Sequence, residues 1–447
     1  MVPAGQEITT PCPTKCHCAE ISLCLARLSI HFSTAESPVT EPLPHCQAAE
    51  TLADDQLPAG FRFGSTACGI KPSGRPDLSV IVADRDAVAA GVYTRNQVVA
   101  APVTWCRGLT PTDRFRAVVT NSGNANACTG PQGEQDTAQM AAEVAQRIDC
   151  EDRQVLVMST GVIGHPLPMD KVVTGIDAAV AGADHSASAF RDVATAFCTT
   201  DQYTKMHCTT AKLSAGTIKI AAIAKGAGMI QPDMATLLSV VVTDAALPIA
   251  AAQKVIADAA AASLNRISVD GHMSTNDTLL LLARNEGTAC SDAEDLSVLT
   301  DGIAEALIDL GKMIVADGEG ATHVLCLQVD GASDDASADV IARAVGNSPL
   351  VKTAIKGNDP NWGRIVSAAG YAGPKIDVAK TSLSIDGVAI YESGAPVSFD
   401  AATLSGSMKS ASDVHIHLTV GDGPGQSRFW ASDLTEAYVS FNSEYTT

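Results

Sequence analysis

The segment Lys225–Ala245, KGAGMIQPDMATLLSVVVTDA, constrains this chain more than any other. Two strand-like runs, Thr217–Ala222 and Leu237–Val242, flank a turn forced by Gly226, Gly228 and Pro232. Thr236 stands just before the second run, so its hydroxyl sits at the mouth of a strand. Most threonines so placed make one ordinary hydrogen bond. Here a strained loop is held against a rigid strand, and the small Ala235 offers little hindrance to attack on its own carbonyl, the setting for an N→O acyl shift. If the Ala235–Thr236 bond were cut, Thr236 would carry its hydroxyl beside a free α-amine. That amine titrates near ~7.7–8.0, which makes nucleophile and base a single residue.

The 447 residues, 46% hydrophobic and only 4% aromatic, predict a soluble α/β or α+β enzyme large enough for more than one domain. A net charge of −20 without a basic stripe argues against a nucleic-acid partner. The longest apolar runs, such as Leu279–Ala283, fall short of a membrane span. Thirteen cysteines in a chain of this size read as reduced thiols of a cytoplasmic protein. Five of them precede residue 50, but Cys12-x3-Cys16-His17-Cys18 lacks the paired arms of a zinc site. Residues 1–55 are therefore read as an extension rather than a folded module. Arg27 and His31 interrupt the apolar stretch Ile21–Phe32, against a secretory signal.

Regular structure is expected from near Gly60. Leu78–Ala83, Ala117–Thr120 and Val155–Met158 read as short strands, the last two running into loops, NSGNANACTG (Asn121–Gly130) and STGVIG (Ser159–Gly164). Backbone N–H groups in such loops are free to meet ligands. Asp136–Ile148, Pro248–Ser263, Ser297–Lys312 and Ser337–Val345 carry helical spacing, and Thr278–Ala283 and Val324–Val329 read as strands. From Ser382 onward the pattern is β-rich, with His415 and His417 on one face.

Several segments carry chemistry, each beside an ordinary reading. Thr160 and Gly161 can supply an oxyanion hole or merely turn the chain into a helix. Lys225 can bind a carboxylate or lie on the surface. Thr199-Thr200-Asp201 follows a helical run and reads as a helix end or a turn, and Glu319, between Gly318 and Gly320, can face a ligand or sit in a turn. Asn265–Asp277 and Gly357–Arg364 are dense in polar groups and equally suit structural networks. No P-loop, dinucleotide fingerprint or H-E-x-x-H is present, so neither a metal nor a nucleotide cofactor is expected.

Seven motifs in chain order, NSGNANACTG, STGVIG, CTTDQYTK, KGAGMIQPDMATLL, NRISVDGHMSTNDT, DGEGAT and KGNDPNWGRI, resemble the ornithine acetyltransferases of arginine biosynthesis, from about Gly60 to Thr447. The resemblance implies an α/β fold shared with certain self-processing aminopeptidases. It implies self-cleavage at Ala235–Thr236 into an α chain (56–235 after the extension) and a β chain (236–447), assembled as a heterotetramer. It makes Thr236 the nucleophile, Thr160 and Gly161 the oxyanion hole, and Thr199, Lys225, Thr236, Glu319, Asn442 and Thr447 the substrate-binding positions. The implied reaction moves acetyl from N2-acetyl-L-ornithine to L-glutamate through an acetyl-threonine, with acetyl-CoA a candidate co-substrate and no cofactor. The implied compartment is the cytoplasm, or the mitochondrion in a eukaryote. His323 departs from the lysine usual after GAT. The competing readings are an amidase or aminopeptidase of the same fold, an acetyltransferase of a specialised pathway, and a binding protein that has lost cleavage.

Overall fold

A computed structural model describes residues 52–231 and 237–444. Ala235, Thr236, Thr447 and the cysteine cluster Cys12–Cys24 lie outside the described residues, as does most of the extension. The folded body begins upstream of the expected Gly60: Leu57 is buried, and the Asp54 carboxylate accepts a hydrogen bond from Ala187 N at 2.6 Å.

Two sheets organise the body. The first contains β1 (Phe61–Thr66), β2 (Leu78–Tyr93), β3 (Thr112–Asn124), β4 (Val155–Val162), β5 (Lys205–Leu213), β6 (Gly216–Lys225), β7 (Leu238–Ala246) and, after β8 (Ile267–Ser268), β9 (Thr278–Ala289). Its order is β4-β3-β2-β9-β7-β6-β5, with β1 paired to β2. The second contains β8, β10 (Val324–Ala332), β11 (Ser382–Ile385), β12 (Val388–Glu392), β13 (Ala395–Pro396), β14 (Asp413–Thr419) and β15 (Gly425–Ser432), in the order β13-β12-β11-β14-β10-β15-β8. Strands from both sides of Ala235–Thr236 interleave in the first sheet, where β7 and β9 lie between β2 and β6.

The apolar runs explain this layering. In β9, Leu279 and Leu281 join one core while Leu280 and Leu282 join another, so the strand is buried on both faces. Continuous aliphatic runs are what a doubly covered strand requires, and each such side chain contributes roughly 1.5–3 kcal/mol on burial. The helices Ile249–Ala262 and Ala293–Ala316 cover one face, and Ala101–Arg107 and Ala187–Phe197 the other. By contrast β14 alternates, burying Val414, Ile416 and Leu418 and exposing His415 and His417.

Several expected elements prove longer than their apolar cores. The β3 and β4 strands continue through Asn124 and Val162, so Asn121–Asn124 and Ser159–Val162 are paired strand rather than loop. Side-chain donors and closely apposed glycines let the polar ends stay in the ladder, a feature apolar periodicity does not register. The β-rich tail also contains two helices, Ala401–Ser410 and Glu436–Glu444. The Asp400 carboxylate caps the first by accepting from Ala402 N and Thr403 N.

Candidate active site

The β3 and β4 ends are parallel, with Ser122 opposite Thr160 and Gly123 opposite Gly161. At Gly161 φ is +134°, and a Cβ there would lie 2.2 Å from the Gly123 carbonyl carbon. Only glycine lets the two backbones approach this closely. Buried amides fix the bend: Ser159 Oγ donates to Asn121 Oδ1 at 2.6 Å, and Asn121 Nδ2 donates to Asn124 O at 2.8 Å. From the chain beyond the Ala235–Thr236 peptide, Asn276 Nδ2 donates to Ala125 O (2.6 Å) and Ser159 O (2.8 Å).

Lys225 closes β6, and Thr199 and Thr200 follow the helix Ala187–Phe197. Glu319 follows the helix Ala293–Ala316; its N–H donates to Ala227 O at 2.9 Å. Its carboxylate accepts from Thr200 Oγ1 (2.8 Å) and from Asn442 Nδ2 (3.0 Å) on the last helix. A Cβ at Gly228 would sit 2.5 Å from that carboxylate, so the glycine makes room for it. Asp270 ties down Met229 and Ile230, accepting from Met229 N (2.6 Å), Ile230 N (2.9 Å) and Tyr438 Oη (3.3 Å).

These residues surround one cavity of about 270 Å³. Thr160, Gly161, Thr199, Lys225, Glu319 and Asn442 all line it, together with Leu237, the residue that follows Thr236 in the chain. Six expected site residues drawn from five separate stretches of sequence thus converge. Thr236 and Thr447 belong to the undescribed segments. Sequence reasoning did not assign Thr200, Asp270, Asn276, Asp277 or Tyr438, which also line the cavity. Asp270, Asn276 and Asp277 lay within a segment already noted for its polar density, and Thr200 lay beside Thr199 at an expected helix end. By contrast Gly357–Arg364 is a structural network: Asn361 Oδ1 caps a helix by accepting from Arg364 N at 3.1 Å.

Burial dominates the electrostatics. It lowers the Lys225 ammonium below the usual lysine range, against the pull of Asp201 and Asp277, and no ion pair to Lys225 occurs among the described residues. It raises Glu319, against the hydrogen bonds from Thr200 and Asn442. It raises Asp277 well above the carboxylate range, and Asp277 Oδ2 is buried with no hydrogen-bond partner among the described residues. Beneath the cavity Lys205 Nζ donates to Asp201 Oδ1 and to Asp317 Oδ2, both at 2.6 Å. Burial pushes Asp317 up to about 7 despite Lys205, whereas Lys205 and Lys225 outweigh burial at Asp201 and hold it well below the usual range.

A cavity with an ammonium, a carboxylate and a hydroxyl-plus-glycine corner can hold a zwitterion and support acyl chemistry. The cluster of Cys326, Asp413 and His415, with ligand atoms within 4.8 Å, lies on the second sheet and does not border this cavity. The eight described cysteines are free thiols, and no described helix is long and apolar enough to cross a membrane.

A profile of the ArgJ family matches residues 62–447. The chain belongs to the ArgJ family. The "Arginine biosynthesis bifunctional protein ArgJ" of Rhodopirellula baltica is 54% identical over 395 residues, covering 88% of this chain and 96% of that protein. The protein of the same name from Gloeobacter violaceus is 43% identical, over 87% of this chain and 96% of its own length. Among solved structures, an ornithine acetyltransferase from Mycobacterium tuberculosis, complexed with ornithine, is 39% identical with a TM-score of 0.35 and covers 41% of this chain and 95% of its own. Family membership accords with the motifs, which fall within the matched span.

Proposed function

We propose that this chain transfers the acetyl group of N2-acetyl-L-ornithine to L-glutamate in arginine biosynthesis, through an acetyl ester on Thr236. The convergence of Thr160, Gly161, Thr199, Lys225, Glu319 and Asn442 around the cavity that Leu237 borders carries this reading. The names of the family relatives support it. The chain first cleaves itself at Ala235–Thr236, and the products stay together as a heterotetramer in the cytoplasm. Thr236 Oγ then attacks the acetyl carbonyl while its α-amine takes the proton. Thr160 and Gly161 stabilise the oxyanion. Collapse breaks the C–N bond, and the proton passes from the α-amine to departing ornithine. The amine of glutamate attacks the acetyl ester, and Thr236 Oγ leaves with a proton.

Lys225 receives a substrate carboxylate, and Glu319 with Asn442 receives an ammonium group. Thr447 completes the substrate site from the chain end. One site used twice predicts ping-pong kinetics. Parallel double-reciprocal plots with acetylornithine and glutamate are the expected result; intersecting plots would overturn the acetyl-enzyme route. The same assay with acetyl-CoA plus glutamate measures use of acetyl-CoA as donor.

A further inference from the structure

Three charged side chains under the cavity are almost completely withdrawn from water: Lys205 is 0% exposed, Asp317 1% and Asp201 3%. Burying charges costs several kcal/mol each even after relaxation, so a buried cluster is a poor route to stability alone. Its hydrogen bonds indicate another use. Asp201 Oδ2 accepts from Thr199 N at 2.9 Å, and Asp201 Oδ1 accepts from Gly226 N at 2.7 Å. Gly226 directly follows Lys225. Asp317, two residues before Glu319, accepts from Gln202 N at 3.1 Å through Oδ2. The lysine therefore joins three chain segments, each of which carries a side chain lining the cavity.

We propose that Lys205 is a positioning residue for acetyl transfer: with Asp201 and Asp317 it forms a buried clamp that fixes Thr199, Lys225 and Glu319 relative to one another across the Ala235–Thr236 junction. Asp201 and Lys205 precede that junction and Asp317 follows it. After the proposed cleavage, the Lys205–Asp317 ion pair joins the two chains directly beneath their shared site. None of the three charged groups lines the cavity itself, so the clamp acts through the residues it holds. This role for the clamp rests on the functional reading above, in which Lys225 and Glu319 bind the ends of the substrates.

The test measures KM and kcat for acetylornithine and glutamate with the full chain and with Asp201→Asn, Asp317→Asn and Glu319→Gln. Asparagine at 201 presents one acceptor oxygen instead of two, so either Thr199 N–H or the Gly226 N–H and Lys205 lose their acceptor. The expected result is a rise in KM of about tenfold for both substrates, the scale of one lost charge-assisted hydrogen bond, with kcat changed far less. The corner at Thr160 and Gly161 is held separately by Asn276, which is why kcat is spared. Asp317→Asn keeps an acceptor for Gln202 N–H and leaves Lys205 paired with Asp201. It is the milder variant, expected to raise KM by roughly threefold, and it decides the question if Asp201→Asn does not fold. A lower melting temperature with KM unchanged in the folded variants would reduce the clamp to a structural role and overturn the proposal. If Glu319→Gln also leaves KM unchanged, the reading of the cavity itself fails; if it raises KM while the aspartate variants do not, only the clamp fails.

Discussion

Gly161→Ala is the most discriminating single substitution. The added Cβ would lie 2.2 Å from the Gly123 carbonyl carbon and 2.4 Å from Asn124 N, where ordinary contact begins at 3.4 Å. Relief requires the β3 and β4 ends to separate by about 1.2 Å, the difference between 3.4 and 2.2 Å. Both neighbours are backbone atoms, so no side chain can rotate away. At φ +134° an alanine adds backbone strain, of order 1–3 kcal/mol. A misplacement of ~1 Å at reacting groups costs ~10²-fold, and loss of an oxyanion donor costs ~10²–10³-fold. The kcat for ornithine release from acetylornithine plus glutamate is therefore expected to fall about a hundredfold. KM should change less, because Lys225 and Glu319 sit on other elements. Thermal melting establishes that the variant is folded. Gly123→Ala is the comparison: at φ +96° it carries backbone strain too, but its Cβ would meet the side chains of Ile70 and Lys71 at 3.1 Å, which can yield, so a smaller loss is expected. A folded Gly161→Ala protein with kcat within about threefold of wild type would refute the assignment of this corner to the oxyanion.

Intact-mass analysis should find two chains, the second beginning at Thr236, and Thr236→Ala should remain uncut and inactive; a fully active uncut wild type would contradict this. Asn276→Ala removes the donors to Ala125 O and Ser159 O and leaves two buried carbonyls without them, so a stability loss of roughly 1–3 kcal/mol is expected in denaturant titration, together with a fall in kcat. Burial lowers the Lys225 pKa, so its ammonium is charged on the acid side and is lost as pH rises, before an ordinary lysine would titrate. The KM for glutamate should therefore climb across the alkaline range, and Lys225→Arg should move that climb to higher pH. A KM that is flat with pH in the wild type would remove Lys225 as the carboxylate anchor.

The site was partly legible in the chain because its chemistry is locally written. Glycines that a turn or close approach demands and hydroxyls at strand ends leave marks in a linear sequence, as Thr160 and Gly161 do. So do the doubly buried strands: the aliphatic run Leu279–Leu282 in β9 belongs to two cores at once. Strand ends were less legible, because Asn121–Asn124 and Ser159–Val162 stay paired through amide side chains rather than apolar alternation.

What the sequence determined by itself was the family resemblance, the α/β class and the candidate residues, each with an ordinary alternative still open. Tertiary structure decided which candidates meet. Thr160, Thr199, Lys225, Glu319 and Asn442 are far apart in the chain, yet they share a cavity because β7 and β9 insert between β2 and β6. It also decided that Gly357–Arg364 does not join them. The buried ionic clamp of Asp201, Lys205 and Asp317 belongs entirely to the tertiary level. A lysine and two aspartates in sequence are ordinary surface residues until folding removes their water and leaves them one another.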